Sequence, residues 1–184
     1  MSADLEQCPS NCPAILSSRG PGRASGAVAC DGGGSLLTPP AGFSLPPGVS
    51  AQVGTAVTWA LQQLGTPYSF GGDCRAAHSG DPAHECDCSS LVQQAYLAAG
   101  ISLPRTAAEQ SRIGVLVRGP GELRPGDLLF VPGSAGTIAS PGHVGMYIGD
   151  GLVVSAPQTG QVVHVSLVTD YWLTDSVFRR VVQG

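Results

Sequence analysis

Cys88 lies in the stretch "HECDCSSLVQQAYLAAG", residues 84–100, directly after Asp87 and three residues before the apolar pair Leu91 and Val92. Asp is a strong helix N-cap, and Leu91, Val92, Ala95, Tyr96 and Ala99 recur at steps of three and four until Gly100. The spacing predicts a helix whose first turn begins at Cys88. A cysteine attacks carbon as its thiolate, and the unsatisfied N–H groups of a helix start favour that charge. Cys88 therefore has the chemistry of a nucleophile, whereas Cys86, in the preceding loop, lacks the position.

A nucleophilic thiol needs a base, ordinarily a histidine delivered by the fold. Of His78, His84, His143 and His164, only the last two lie in segments with strand character, and His143 opens the most regular one, "HVGMYIG". Alternation puts His143, Gly145 and Tyr147 on one face and Val144, Met146 and Ile148 on the other, the core side. Gly145 leaves room beside the imidazole for a substrate or a helix end. On this segment alone, a histidine satisfied at a strand end is an equal alternative.

The elements that must position these two residues are legible from periodicity. "SAQVGTAVTWALQQLG" predicts a helix capped by Ser50 and stopped at Gly65, and "TAAE" at 106–109 has the capping-box form of a third, shorter helix. After residue 120, "DLLFV", "HVGMYIG", "LVVSA", "VVHVSL" and "SVFRRVV" are short, β-branched and bounded by Gly, Pro or Asp, which predicts an antiparallel sheet. Helices followed by strands describe an α+β domain with the helices packed on one side or end of the sheet. Residues 1–50 hold 15 Gly or Pro against 26 in the remaining 134. They read as an irregular, cysteine-containing arm, and residues 51–184 as the folded domain.

Composition narrows the function classes. A net charge of −4, with nine basic residues that form no cluster, argues against nucleic acid and against an electrostatic membrane anchor. No run of 18 apolar residues predicts a membrane span. Residues 1–30 lack a signal-peptide pattern, which leaves an intracellular chain or a piece of a longer exported protein. Six cysteines point to an oxidising compartment. In the arm, a disulfide from Cys8 or Cys12 to Cys30 is expected, with one thiol left over. Residues 73–86 carry Cys74, His78, His84 and Cys86, which have the ligand types of a structural zinc site or, alternatively, a Cys74–Cys86 disulfide with two exposed histidines.

The order "GTPYSFGG", "DCSSLVQQAYLAAGISLPRTAAEQ", "LRPGDLLF" and "GHVGMYIGDG" resembles the NlpC/P60 cysteine peptidases over residues 51–182. The resemblance implies a papain-like α+β fold, with the nucleophile at a helix N-terminus packed on an antiparallel sheet that carries the histidine. It implies cleavage of peptidoglycan stem peptides, commonly between D-glutamate and a diamino acid, with no cofactor and no metal. It also implies an exported protein of the cell wall or the extracellular space, attached to further domains in a longer chain. Carried over by motif, Cys88 is the nucleophile, His143 the base, and Tyr68 a hydroxyl that stabilises the oxyanion together with the Cys88 backbone N–H. Asp87 and Ser89 match positions that bind the amino side of the stem peptide, and Asp87 serves equally as a cap. The exported character of the family favours the Cys74–Cys86 disulfide over zinc.

Two departures from the family pattern matter. Ser90 replaces the final Gly of the Asp-Cys-Ser-Gly motif and adds a side chain near the cleft. The third catalytic position, twelve residues after the histidine, falls on Ser155, which can orient an imidazole but adds no charge. A weaker Cys-His dyad is expected, with Gln158 and His164 as further orienting candidates. The same resemblance accommodates an amidase or acyltransferase, or a weakly active wall-binding module. Ser155 shares the face of His143 only with an odd number of hairpin loop residues, so a three-residue loop, Gly149 to Gly151, is expected, with Ile148 opposite Leu152 and Gly145 opposite Ser155.

Overall fold

A computed structural model describes residues 36–39 and 41–183. In chain order the elements are α1 (Ala51–Gln62), α2 (Cys88–Ala98), α3 (Ala107–Gln110), β1 (Val115–Val117), β2 (Leu128–Val131), β3 (His143–Gly149), β4 (Leu152–Ser155), β5 (His164–Leu167), α4 (Asp170–Leu173) and β6 (Val177–Arg180). The six strands form one sheet in the order β1-β6-β2-β3-β4-β5, with every named pairing antiparallel. This is the expected α+β class. The sequence pattern missed β1 and α4, both too short for a periodicity to register.

The sheet is covered on both faces. Val144, Met146 and Ile148 of β3 meet Val57 and Ala60 of α1 and Leu91, Val92, Ala95 and Tyr96 of α2 in the main core. On the opposite face Leu129, Val131, Val153 and Phe178 close around Trp172 of α4 in a second, smaller core. Because both faces of β2 are buried, its sequence LLFV is continuously apolar rather than alternating. Helix caps hold as read: Ser50 Oγ accepts from Val53 N, and Gly65 and Gly100 take the positive φ of a helix stop. Leu36 pairs with Val165 at the edge of β5 and is buried in the main core, so packing on the domain reaches back beyond residue 50. The arm cysteines Cys8, Cys12 and Cys30 lie outside the described residues. No helix among the described residues is long and apolar enough to cross a membrane.

The β3–β4 hairpin departs from the expected loop. Gly149 pairs with Leu152, so the turn is the two residues Asp150 and Gly151, both at positive φ as a type I′ turn requires. A two-residue turn alone would place Ser155 on the wrong face. A bulge between Tyr147 and Gly149 adds one residue on β3 and restores Tyr147 opposite Val153 and Met146 opposite Val154. One step further, Ser155 falls beside Gly145, on the His143 face, as expected from the longer loop.

Residues 66–87 form a loop tied at several points. Cys74 and Cys86 are joined by a disulfide. Buried Glu85 accepts from the backbone N–H groups of His78 and Gly80, satisfying its charge inside the loop. The two loop histidines have other partners, His78 with the Thr66 hydroxyl at 3.0 Å and His84 with Asp73 at 3.1 Å. Gly72 is required by contact: a Cβ there would lie 2.2 Å from the Glu85 carbonyl oxygen. These ties lay Tyr68 alongside Cys86, with Ser69 N donating to Cys86 O.

At the far end of the domain, Arg180 of β6 makes two parallel bonds, of 2.8 and 2.7 Å, to the buried carboxylate of Asp127, which also accepts from Arg124 N. The pair joins β6 to the turn that starts β2. Asp127→Ala strips a largely buried guanidinium of its partner and should lower unfolding free energy by about 3 kcal/mol, measured by urea denaturation; a loss under about 0.5 kcal/mol would show that the pair contributes nothing to the fold.

Candidate active site

The start of α2 is held by a capping box. Asp87 Oδ1 accepts from Ser90 N at 2.8 Å, and Ser90 Oγ accepts in return from Asp87 N at 2.9 Å. Ser90 is fully buried in that role and does not line the cleft, so its hydroxyl serves the cap rather than a substrate. Asp87 carries more than a cap. Arg105 donates to both its oxygens, at 3.0 and 2.6 Å, Ser89 Oγ donates at 3.2 Å and Gly71 N at 3.2 Å. Arg105 reaches further, to Ser89 Oγ and to Gly72 O, each at 2.9 Å. No sequence pattern marks Arg105 as functional; its one signal is its place between the Pro104 turn and the Thr106 cap of α3.

The sulfur of Cys88 lies against the beginning of β3, 3.9 Å from the Gly142 carbonyl oxygen. Backbone N–H groups of Val144 and Ser89 are placed to donate to its thiolate. The two residues flanking His143 in the chain therefore both face the thiol. Cys88, Tyr68, Asp87 and Ser89 line one cleft of about 430 Å³, whose other walls are Phe70, Gly71, Arg105 to Ala108, Pro141 and Gly142. Phe70 projects into solvent at its rim, 86% exposed. The Tyr68 hydroxyl is raised in pKa by burial first, then by the charges of Cys88 and Asp87.

Burial sets the protonation states. It drives the Cys88 thiol up from 9.0 to about 11, with the Asp87 charge adding to the rise, and this outweighs the neighbouring N–H groups. The expectation that the helix start yields a ready thiolate is thus reversed: the first turn is too dry. Burial also drives His143 down from 6.5 to about 4, assisted by the charge of His164. Between those limits the pair rests as thiol and neutral imidazole.

Ser155 is buried, beside Gly145 and directly opposite His164 on β5. His164 Nδ1 lies 3.1 Å from the Val162 carbonyl oxygen, which can only accept, so that nitrogen carries the proton of the bond. Gln158 is exposed in the turn between β4 and β5. Of the two additional orienting candidates, His164 alone is placed to act on His143. The room that Gly145 leaves is filled by Trp172: its ring centroid is 5.3 Å from that of His143, and Tyr171 is 6.3 Å away on the same imidazole. Neither aromatic was anticipated, because α4 itself was not.

The NlpC/P60 family model matches residues 65–181. A gamma-DL-glutamyl hydrolase of Bacillus subtilis is 37% identical over 119 residues, which are 63% of this chain and 26% of that protein. Other matched relatives bear the names murein DD-endopeptidase and bifunctional muramidase/DL-endopeptidase. The chain spans roughly a quarter to two fifths of these relatives' lengths. Among solved structures, the peptidoglycan hydrolase RipB of Mycobacterium tuberculosis superposes with a TM-score of 0.61 at 30% identity, over 72% of this chain and 66% of that one. RipD of the same organism, described as a non-catalytic NlpC/p60 domain protein adapted to peptidoglycan binding, gives 0.56 at 28% identity, over 72% and 99%.

A thiol raised to about 11 should alkylate slowly at neutral pH. Mass-spectrometric rates of Cys88 modification by iodoacetamide are expected to climb about tenfold per pH unit from pH 7 towards 10; a rate that is already flat above pH 7 would mean a preformed thiolate.

Proposed function

Because the chain belongs to the NlpC/P60 family, we propose that it hydrolyses peptidoglycan stem peptides by thiol catalysis at Cys88, with His143 as base, at the bond between D-glutamate and a diamino acid. The observation that carries this reading is the open cleft in which a helix-start thiol, Tyr68 and the head of β3 converge. As sulfur attacks the scissile carbonyl, its proton passes to His143, and the oxyanion takes hydrogen bonds from the Tyr68 hydroxyl and the Cys88 N–H. His143 then returns the proton to the leaving amine, and water, activated by the same imidazole, hydrolyses the thioester. The pair rests neutral, and the proton moves to His143 as attack begins.

Asp87 enters this reading as a positioning residue more than as a substrate ligand, because five donors already converge on its carboxylate. Arg105, partly exposed on the cleft wall, is the group best placed to meet the amino side of the stem peptide, with the Ser89 hydroxyl beneath it already bonded to Arg105 and Asp87. Ser155 and His164 stand behind His143, and Ser155 contributes little to catalysis. On this reading the protein is exported and acts in the cell wall or the extracellular space, as part of a longer chain. The same acyl-enzyme chemistry would serve an amidase or acyltransferase, and Ser155 at the third position favours, as a second reading, a weakly active wall-binding module like RipD.

Purified muropeptides incubated with the protein, with products identified by mass spectrometry, separate these readings. Cleavage after D-glutamate is expected, with Cys88→Ala and His143→Ala each losing about 10³-fold or more and Ser155→Ala only a few-fold. Binding without cleavage by the wild type would favour the wall-binding module, and cleavage elsewhere would reassign the bond.

A further inference from the structure

Among the described residues no side-chain hydrogen bond to the His143 ring is formed; the rings packed against it are those of Trp172 and Tyr171. The torsion that aims an imidazole is a broad, two-fold rotation, so an unbonded ring needs flat surfaces to hold it. Trp172 supplies one. Its ring lies 5.3 Å from the imidazole at an interplanar angle of 32°. The indole is itself buried, 4% exposed and set in the core patch of Leu129, Val131, Val153 and Phe178. Tyr171 meets it edge-on at 5.2 Å and 78°, and closes the outer side of the imidazole while remaining 55% exposed.

The backbone around the ring is shaped for this contact. At Gly145 a Cβ would lie 2.7 Å from the Trp172 ring and 2.6 Å from Val153, so the missing side chain is the slot through which the indole reaches β3. On the loop after β2, Gly133, at φ +64°, lies so near that its Cβ would come 3.1 Å from the Cβ of His143. Strand register and α4 thus confine the imidazole from two directions.

We propose that Trp172 is the positioning residue of the catalytic base: its indole, with Tyr171 at the outer edge, holds the His143 ring in place of a hydrogen-bonding third side chain. The inference rests on the Cys88–His143 reading above. An aromatic face does one further thing that Ser155 does not: it excludes water, which holds the imidazole in its neutral form at rest. Of the titratable groups around it, the His164 imidazole from β5 acts on His143 through its charge, Tyr171 of α4 meets it ring to ring, and the Cys88 thiol from α2 lies against Gly142 and Val144, the residues on either side of it.

The test compares Trp172→Leu, Trp172→Phe and Tyr171→Ser with wild type, each checked for folding by circular dichroism. Two assays are used, muropeptide hydrolysis and the burst of p-nitrophenolate released when Cys88 Sγ takes the acetyl group of p-nitrophenyl acetate as a thioester. Trp172→Leu should lower kcat and the burst rate about 10- to 100-fold with KM within twofold. The acid limb of its burst rate should rise from near pH 4 towards 6.5, as water reaches the ring. Trp172→Phe should recover most of the rate, and Tyr171→Ser should give a smaller upward shift. A folded Trp172→Leu with wild-type rate and acid limb, or a Phe variant as damaged as the Leu variant, overturns the proposal. Should Trp172→Leu fail to fold, an unmoved acid limb in Tyr171→Ser overturns it instead. A wild type with a Cys88-dependent burst but intact muropeptides sinks the peptidoglycan reading and leaves this inference standing; no Cys88-dependent burst overturns both.

Discussion

The site depends first on the convergence of five donors on the Asp87 carboxylate. One donor starts α2, two come from Arg105 ahead of α3, one from Ser89 and one from Gly71 in the disulfide-tied loop. A single buried charge thereby registers three chain segments against one another, and all three line the cleft. Arg is suited to this because its fork bonds both carboxylate oxygens in one plane. With the carboxylate so engaged, Cys88 is held at the mouth of its helix while its neighbours shape the space in front of it.

Such close packing has an electrostatic consequence. The groups that hold Cys88 and His143 also exclude water from them, so each is pushed towards its uncharged form, the thiol up and the imidazole down. Desolvation here outweighs the N–H groups at the helix start, because two backbone donors do not replace a full hydration shell. The result is a neutral pair that develops charge only during reaction, when the oxyanion site can stabilise it.

The disulfide belongs to the same arrangement. Cys86 and Cys88 are two residues apart yet have opposite fates: one is oxidised with Cys74, the other is a free, buried thiol. Asp87 lies between them and separates their environments, turning the chain from the loop into the helix. The loop histidines, which as residue types are capable of binding zinc, are held by Thr66 and Asp73 instead.

Much of this was legible from local pattern. Asp87 as cap, Cys88 at a helix start, the capping box at Thr106, the five main strands and the Cys74–Cys86 pairing are all short-range or motif-borne, and the structure contains each of them. Face assignment along β3 was also local, since a period of two needs only the segment itself. What tertiary structure decided were the contacts between distant segments. Arg105 reaches Asp87 across 18 residues, Trp172 reaches His143 across 29, and a bulge, not a longer loop, brings Ser155 to the right face. The protonation states belong to that class as well. Residue type and helix position set the sign expected for Cys88, but the density of everything packed around it, which no single segment encodes, reversed it.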